Sequence, residues 1–237
     1  MGDFEIFYYS HLQQPFLLWI GAALGLAVAL ARRGLSPAIR RYCLVFTAIS
    51  IADAYVTTPT GPPGLGPLPT TASFVLPVAF IVTGDLRYFL LLEATRDGEY
   101  RTPSPAGWLR VLAWSWIVPL LSRAIYALLP ATDLRTSRAL FLAYELSFLA
   151  LTLLINLVIL PRRQDDAARR WCVRVGWFVA SYYALWIVAD VIISEGHDVG
   201  FLVRSIANFV YYGWLLAFIA WTEPRPATRA AAAGGPR

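Results

Sequence analysis

Seven ionisable side chains stand inside otherwise apolar stretches: Asp53, Asp85, Arg87, Arg123, Glu145, Asp190 and Arg204. A charge placed in hydrocarbon is expensive, so each must face a bundle interior and find a partner there. Groups of this kind can hold a ligand, pass a proton or lock helices together. Asp190 and Arg204 form the sharpest pair. They lie on two stretches joined by a short turn, hence antiparallel and adjacent, and the spacing predicts a salt bridge between them. Tyr182, Tyr183, Trp186 and Asp190 share one helical face, as do Arg204, Asn208, Tyr211 and Tyr212. These two faces predict an aromatic pocket beneath the ion pair, apolar in body with polar tips. Glu145, Leu149, Thr152 and Asn156 form a third face, and Trp116, Pro119, Arg123 and Tyr126 a fourth, with Arg123 placed to pair with Glu145.

Seven apolar stretches must position these residues: roughly 15–31, 42–58, 71–94, 108–129, 138–160, 171–193 and 200–221. Most have the roughly 20 residues that a helix needs to cross a ~30 Å hydrocarbon core. Continuous apolar runs fit helices and not the alternation of a barrel. Fifteen of the 20 basic residues fall in the connections on one side of the stretches, or in the tail. The other side holds only Arg135 and Arg138. Positive loops stay cytoplasmic, so the N-terminus is expected outside and the C-terminus inside. At about 1.5 Å rise per residue, Asp53, Arg123, Glu145, Asp190 and Arg204 fall in the outer half, and Asp85 and Arg87 near the midplane. The fold expected is an all-α membrane domain over 1–222, a seven-helix bundle, followed by a disordered cytoplasmic tail over 223–237.

The chain is 58% hydrophobic with mean hydropathy +0.56 and net charge +5. The excess charge is the loop arginine of a membrane protein, so anionic lipid headgroups, and no nucleic acid, are the expected partners. There is no lysine, so no Schiff base to a side-chain amine can form. Cys43 and Cys172 sit at cytoplasmic ends of their stretches and are expected reduced. The start, Met-Gly-Asp-Phe-Glu, lacks a basic n-region and reads as leading into an uncleaved first helix. The segment 59–70, PTGPPGLGPLPT, is expected to be an irregular rim. Turn signals also stand at Asp97-Gly98 and over 102–105.

Two junctions look alike: ARRGLSPAIRRYC at 31–43 and PRRQDDAARRWC at 161–172. Ile51-Ala-Asp53 is echoed by Val188-Ala-Asp190. A parallel 3+1+3 repeat, as in transporters, would explain the echo, and so would the common demands on positive-inside loops. Asp85 and Arg87 are two apart on their helix and cannot pair with each other. Asp85 shares a stripe with Phe74, Val78, Ile81 and Tyr88, and Arg87 shares one with Pro77, Phe80 and Gly84. Asp85 could relay a proton or simply bond a neighbouring helix. Gly21, Gly25 and Ala29 permit close helix packing within the chain, or a homo-oligomer.

Enzyme chemistry finds little support. His11 and His197 are the only histidines and both lie on the outer side, which leaves no intramembrane bis-His haem, metal centre or Ser–His triad. An aspartyl hydrolase would need two facing carboxylates, and Asp85 differs in depth from Asp53 and Asp190.

Seven helices, an external N-terminus and a short internal tail resemble the microbial rhodopsin plan. Trp177, Tyr182 and Trp186 stand where that family has a Trp/Tyr/Trp cluster on helix six. Asn208 and Tyr212 have the spacing of its helix-seven Asp and retinal lysine, and Asp85 resembles its cytoplasmic proton donor. The helix-six proline is missing, the Trp–Tyr spacing differs, and Phe74 falls where a counterion carboxylate would stand. The resemblance implies a lysine-free relative without a covalent cofactor. The plan also resembles the SWEET sugar transporters, whose paired proline motifs are absent.

The leading expectation is a receptor or binding protein of the bacterial inner membrane. It would hold a small, mostly apolar ligand non-covalently among Trp116, Glu145, Tyr182, Trp186, Asn208 and Tyr212. Asp190 and Arg204 would form an outer gate, with Asp53, Asp85, Arg87 and Arg123 as further gate or relay groups. Output would pass to a cytoplasmic or membrane partner at the loop 161–174. The alternatives are a proton-coupled transporter, with Asp85 or Glu145 carrying the proton, and a structural membrane subunit.

Overall fold

A computed structural model describes residues 1–58, 61–66, 69–98, 100–130, 136–163 and 166–224; of residues 70–74, 77, 78 and 137 only the backbone is described. The expectations for Arg135 and for 225–237, and for the side chains of Phe74, Pro77 and Val78, fall outside these residues. The protein is 81% helical with no strand among the described residues. A short helix, α1 (Asp3–Tyr8), precedes seven long ones. They are α2 (Leu12–Ala31), α3 (Pro37–Val56), α4 (Thr70–Ala94), α5 (Pro105–Leu128), α6 (Arg138–Arg162), α7 (Ala167–Ser194) and α8 (Val199–Thr222). Five of them, α2, α5, α6, α7 and α8, are long and apolar enough to cross a membrane.

Local signals set where the helices begin and end. The Ser36 hydroxyl accepts from the Ile39 amide ahead of Pro37, and the Ser104 hydroxyl from the Gly107 amide ahead of Pro105. Each hydroxyl satisfies an amide that the first turn leaves open, and proline loses nothing there. Thr136 and Asp166 cap α6 and α7 in the same way. Gly196, with φ of 83°, lets the chain leave α7 and turn straight into α8.

Sequential helices pack on one another from α2 to α8, and α2 closes the ring against α8. Small residues make that closure. A methyl group on Gly25 would overlap the Gly213 carbonyl, and one on Gly21 would meet the Phe209 ring at 2.7 Å. The stripe of Gly21, Gly25 and Ala29 thus packs within the chain. α8 widens into a π turn over Val210–Trp214, which carries Tyr211, Tyr212 and Gly213. Outward faces are apolar: Leu109, Leu120 and Leu157 are among many exposed leucines. So large an apolar exterior suits hydrocarbon and not water.

Polar segments end the bundle. Glu223, the first residue assigned to the tail, is buried, accepts from the Ser36 amide at 3.1 Å and pairs with Arg32. Cys43 and Cys172 are buried and not joined in a disulfide.

Candidate functional site

A cavity of about 410 Å³ opens between the helices at the end of the bundle that carries the N-terminus. Helices α7 and α8 supply Tyr183, Trp186, Arg204, Asn208, Tyr211 and Tyr212 to its wall. α6 adds Arg138, Phe141, Tyr144 and Glu145, α3 adds Asp53 and Thr57, and α4 adds Ile81 and Asp85. Tyr8, Tyr9 and Gln14 come from the N-terminal segment.

Charges gather at the rim. Arg204 bonds Asp190 and donates from Nη1 to Glu145 Oε1 at 3.2 Å. Its Nε donates to the Tyr8 hydroxyl at 3.1 Å, and Arg138 Nη1 donates to Asp190 Oδ1 at 2.7 Å. Asp190 and Glu145 are 0% and 3% exposed, so they can stay charged only because the two arginines reach them. Both arginines of the Asp190 contact use Oδ1, and Arg204 uses only Oε1 of Glu145. The second oxygens, Asp190 Oδ2 and Glu145 Oε2, are buried with no hydrogen-bond partner among the described residues.

Below the rim, tyrosines and a tryptophan orient the polar groups. Trp186 Nε1 donates to Asn208 Oδ1 at 2.8 Å. The Tyr212 hydroxyl donates to Asp53 Oδ2 at 2.7 Å, and Thr57 adds a bond to Oδ1 at 3.2 Å. The Tyr183 hydroxyl donates to Asp85 Oδ1 at 2.7 Å, and the Tyr144 hydroxyl to Oδ2. Arg87 lies beneath the wall, its guanidinium 4.1 Å from the centre of the Tyr211 ring. It donates from Nε to the Gly84 carbonyl at 3.0 Å and from Nη1 to the Ser50 hydroxyl at 3.3 Å. Gly84 is where the Tyr211 hydroxyl approaches α4, and a Cβ there would overlap it.

The salt bridge of Asp190 with Arg204 is present, and Glu145, Trp186, Asn208, Tyr212, Asp53 and Asp85 all meet at the cavity or its rim. Four expectations need correction. Trp116 is 46% exposed on the outer face of α5, turned away from the cavity. Arg123, on the same face two turns on, is also exposed, and Glu145 pairs with Arg204 in its place. The stripe of α5 was apolar enough to read either way, and it faces outward. Tyr182 is buried but packs edge-on against Tyr211 and Trp186 behind the wall; its neighbour Tyr183 takes the cavity position. Arg87 is buried below the lining and does not gate it.

Three contributors escaped the sequence reading. Arg138 had been counted as a loop charge. Tyr144 lies beside the Glu145 face and reaches Asp85 across the bundle. Helix α1 has only six residues, too short for a periodicity signal. It is tied down by Asp198, whose carboxylate accepts from the Phe4 and Glu5 amides at 2.9 Å each, and it brings Tyr8 over the rim. The Asp3 and Glu5 of its first turn gave a faint cue.

No protein family, curated protein or solved structure matches the chain. What it does must therefore be argued from the cavity itself.

Proposed function

We propose that the chain is a seven-span protein of the bacterial inner membrane that binds a small, mostly apolar ligand without a covalent bond, as a receptor or carrier-type binding protein. In this reading the N-terminus is outside, the arginine-rich connections are cytoplasmic, and the loop 161–174 passes the signal to a partner. The observation that carries it is the cavity: about 410 Å³, walled by aromatic rings with a few fixed polar groups. Small-molecule sites have this size and make-up, roughly 300–1,000 Å³ and mainly apolar with a few oriented polar atoms. A bundle that needed only structural ion pairs would have no use for such a space.

Protein purified in mild detergent tests this reading, by its absorption spectrum and by mass spectrometry of what an organic solvent extracts. The expected result is one small molecule per chain, lost in Trp186→Ala and Tyr212→Ala variants that stay folded. An empty, colourless protein would count against it.

One observation favours a second reading, proton-coupled transport. Asp85 lines the cavity and is held by two tyrosine hydroxyls and not by an arginine, the setting of a group that can gain and lose a proton. Asp85→Asn should then abolish uptake driven by a pH gradient in vesicles while leaving binding intact.

A further inference from the structure

The rim leaves a specific chemical need unmet. Glu145 lines the cavity and is 3% exposed, yet its Oε2 has no hydrogen-bond partner among the described residues, and neither has Oδ2 of the fully buried Asp190. Orphaned acceptors in a buried carboxylate cost much more than those left in water. Each calls for a donor. Arg138 and Arg204 reach these carboxylates through Oε1 and Oδ1.

Charge points the same way. The lining holds Asp53, Asp85 and Glu145 against Arg138 and Arg204. Including buried Asp190 and Arg87 gives four carboxyl groups against three guanidiniums, so with every carboxyl ionised the site is one positive charge short. The wall beside it is aromatic: Tyr183, Trp186, Tyr211 and Tyr212 line the space, with Trp186 packed against Tyr183 and Tyr211. Such rings attract a cationic nitrogen and accept an apolar chain equally well. Tyr211 already accepts the Arg87 guanidinium on its ring.

We propose that the ligand is a cationic amphiphile, a protonated primary amine on an apolar body, with the nitrogen at Glu145 and the body against Trp186 and the tyrosines. The proposal rests on the binding reading above and narrows its ligand class. The ammonium supplies the donor that Glu145 Oε2 lacks. Tyr8 and helix α1 lie over that rim and would cover the bound head. A carboxylate head would instead place a further negative charge among four, against arginines already engaged.

The full chain in nanodiscs of zwitterionic lipid, with empty discs as the control, tests this with three probes of equal chain: n-octylamine, n-octanol and n-octanoate. Binding is read by quenching of tryptophan fluorescence and by calorimetry at neutral pH, where the amine is protonated. The expected order is octylamine tightest, by roughly tenfold or more, as a charge-assisted bond in a buried site implies. Glu145→Gln should close the gap between amine and alcohol by weakening octylamine binding roughly tenfold. Should that variant fail to fold, the order of the three probes on the unmodified protein decides alone. Equal binding of all three, or octanoate the tightest, overturns the amine assignment while leaving the binding reading in place. No binding above the empty discs overturns both.

Discussion

The two ends of the bundle satisfy their buried polar groups in different ways. At the end away from the N-terminus, several donors reach backbone carbonyls, beside side-chain pairs such as Arg110 with Glu93 and Trp171 with Thr222. Arg163 donates to Leu92, Thr95 to Leu91 at 2.7 Å, Cys43 to Leu216, and Arg32 to the carbonyls of Ala220 and Glu223. Most of these carbonyls lie near helix C-termini, where the backbone ladder runs out. Around them Trp171, Leu160, Val175, Leu216 and Ile219 are buried together in the apolar core. At the cavity end, side chains satisfy side chains: Arg204 with Asp190 and Glu145, Tyr212 with Asp53, Tyr183 and Tyr144 with Asp85. A network of that kind needs several helices correctly placed, holds them apart, and leaves acceptors over. Rigid closure and a receptive space are therefore built into opposite ends of the same helices.

The comparison is most severely tested at Arg204. Arg204→Ala removes the cation shared by two buried carboxylates, and should cost about 3–5 kcal/mol, read as thermal unfolding in detergent. A loss below about 1 kcal/mol would mean that the rim charges are held by water and not by one another. Next comes the backbone seam between α2 and α8. Gly25→Ala must push the helices apart at Gly213 and should cost about 1–3 kcal/mol, with ligand retention falling as the wall shifts. Tyr212→Phe removes one bond to Asp53 and should cost about 1 kcal/mol, with a larger effect on ligand retention than on melting. If retention is untouched, the tyrosine only braces α3. Trp116→Ala should change stability by no more than about 0.5 kcal/mol and leave retention unaltered, because the side chain faces outward. A strong effect there would return α5 to the site.

Helix faces were legible where polar residues repeat with helical spacing on a segment whose other faces are apolar. That is why α7 and α8 yielded Trp186, Asp190, Arg204, Asn208 and Tyr212. On α5 the pattern failed: Trp116 and Arg123 share a face, but aromatic and arginine side chains also suit an outward, interfacial position. Tyr182 and Tyr183 were both on the predicted face, and their order around the helix was too close to separate. The wall position fell to Tyr183 through its bond to Asp85 on another helix.

The sequence alone determined the helical class and the pairing of Asp190 with Arg204 across a short turn. These depend on local chemistry, hydropathy and the reach of neighbouring helices, all carried by nearby residues. Only the tertiary structure decided that Glu145 belongs to Arg204 and not to Arg123, that Asp85 answers to Tyr144 and Tyr183, and that a six-residue helix brings Tyr8 to the rim. Each of those contacts joins segments far apart in the chain. Which groups meet is set by the rotation of each helix about its axis, and that rotation is fixed by packing all the helices at once.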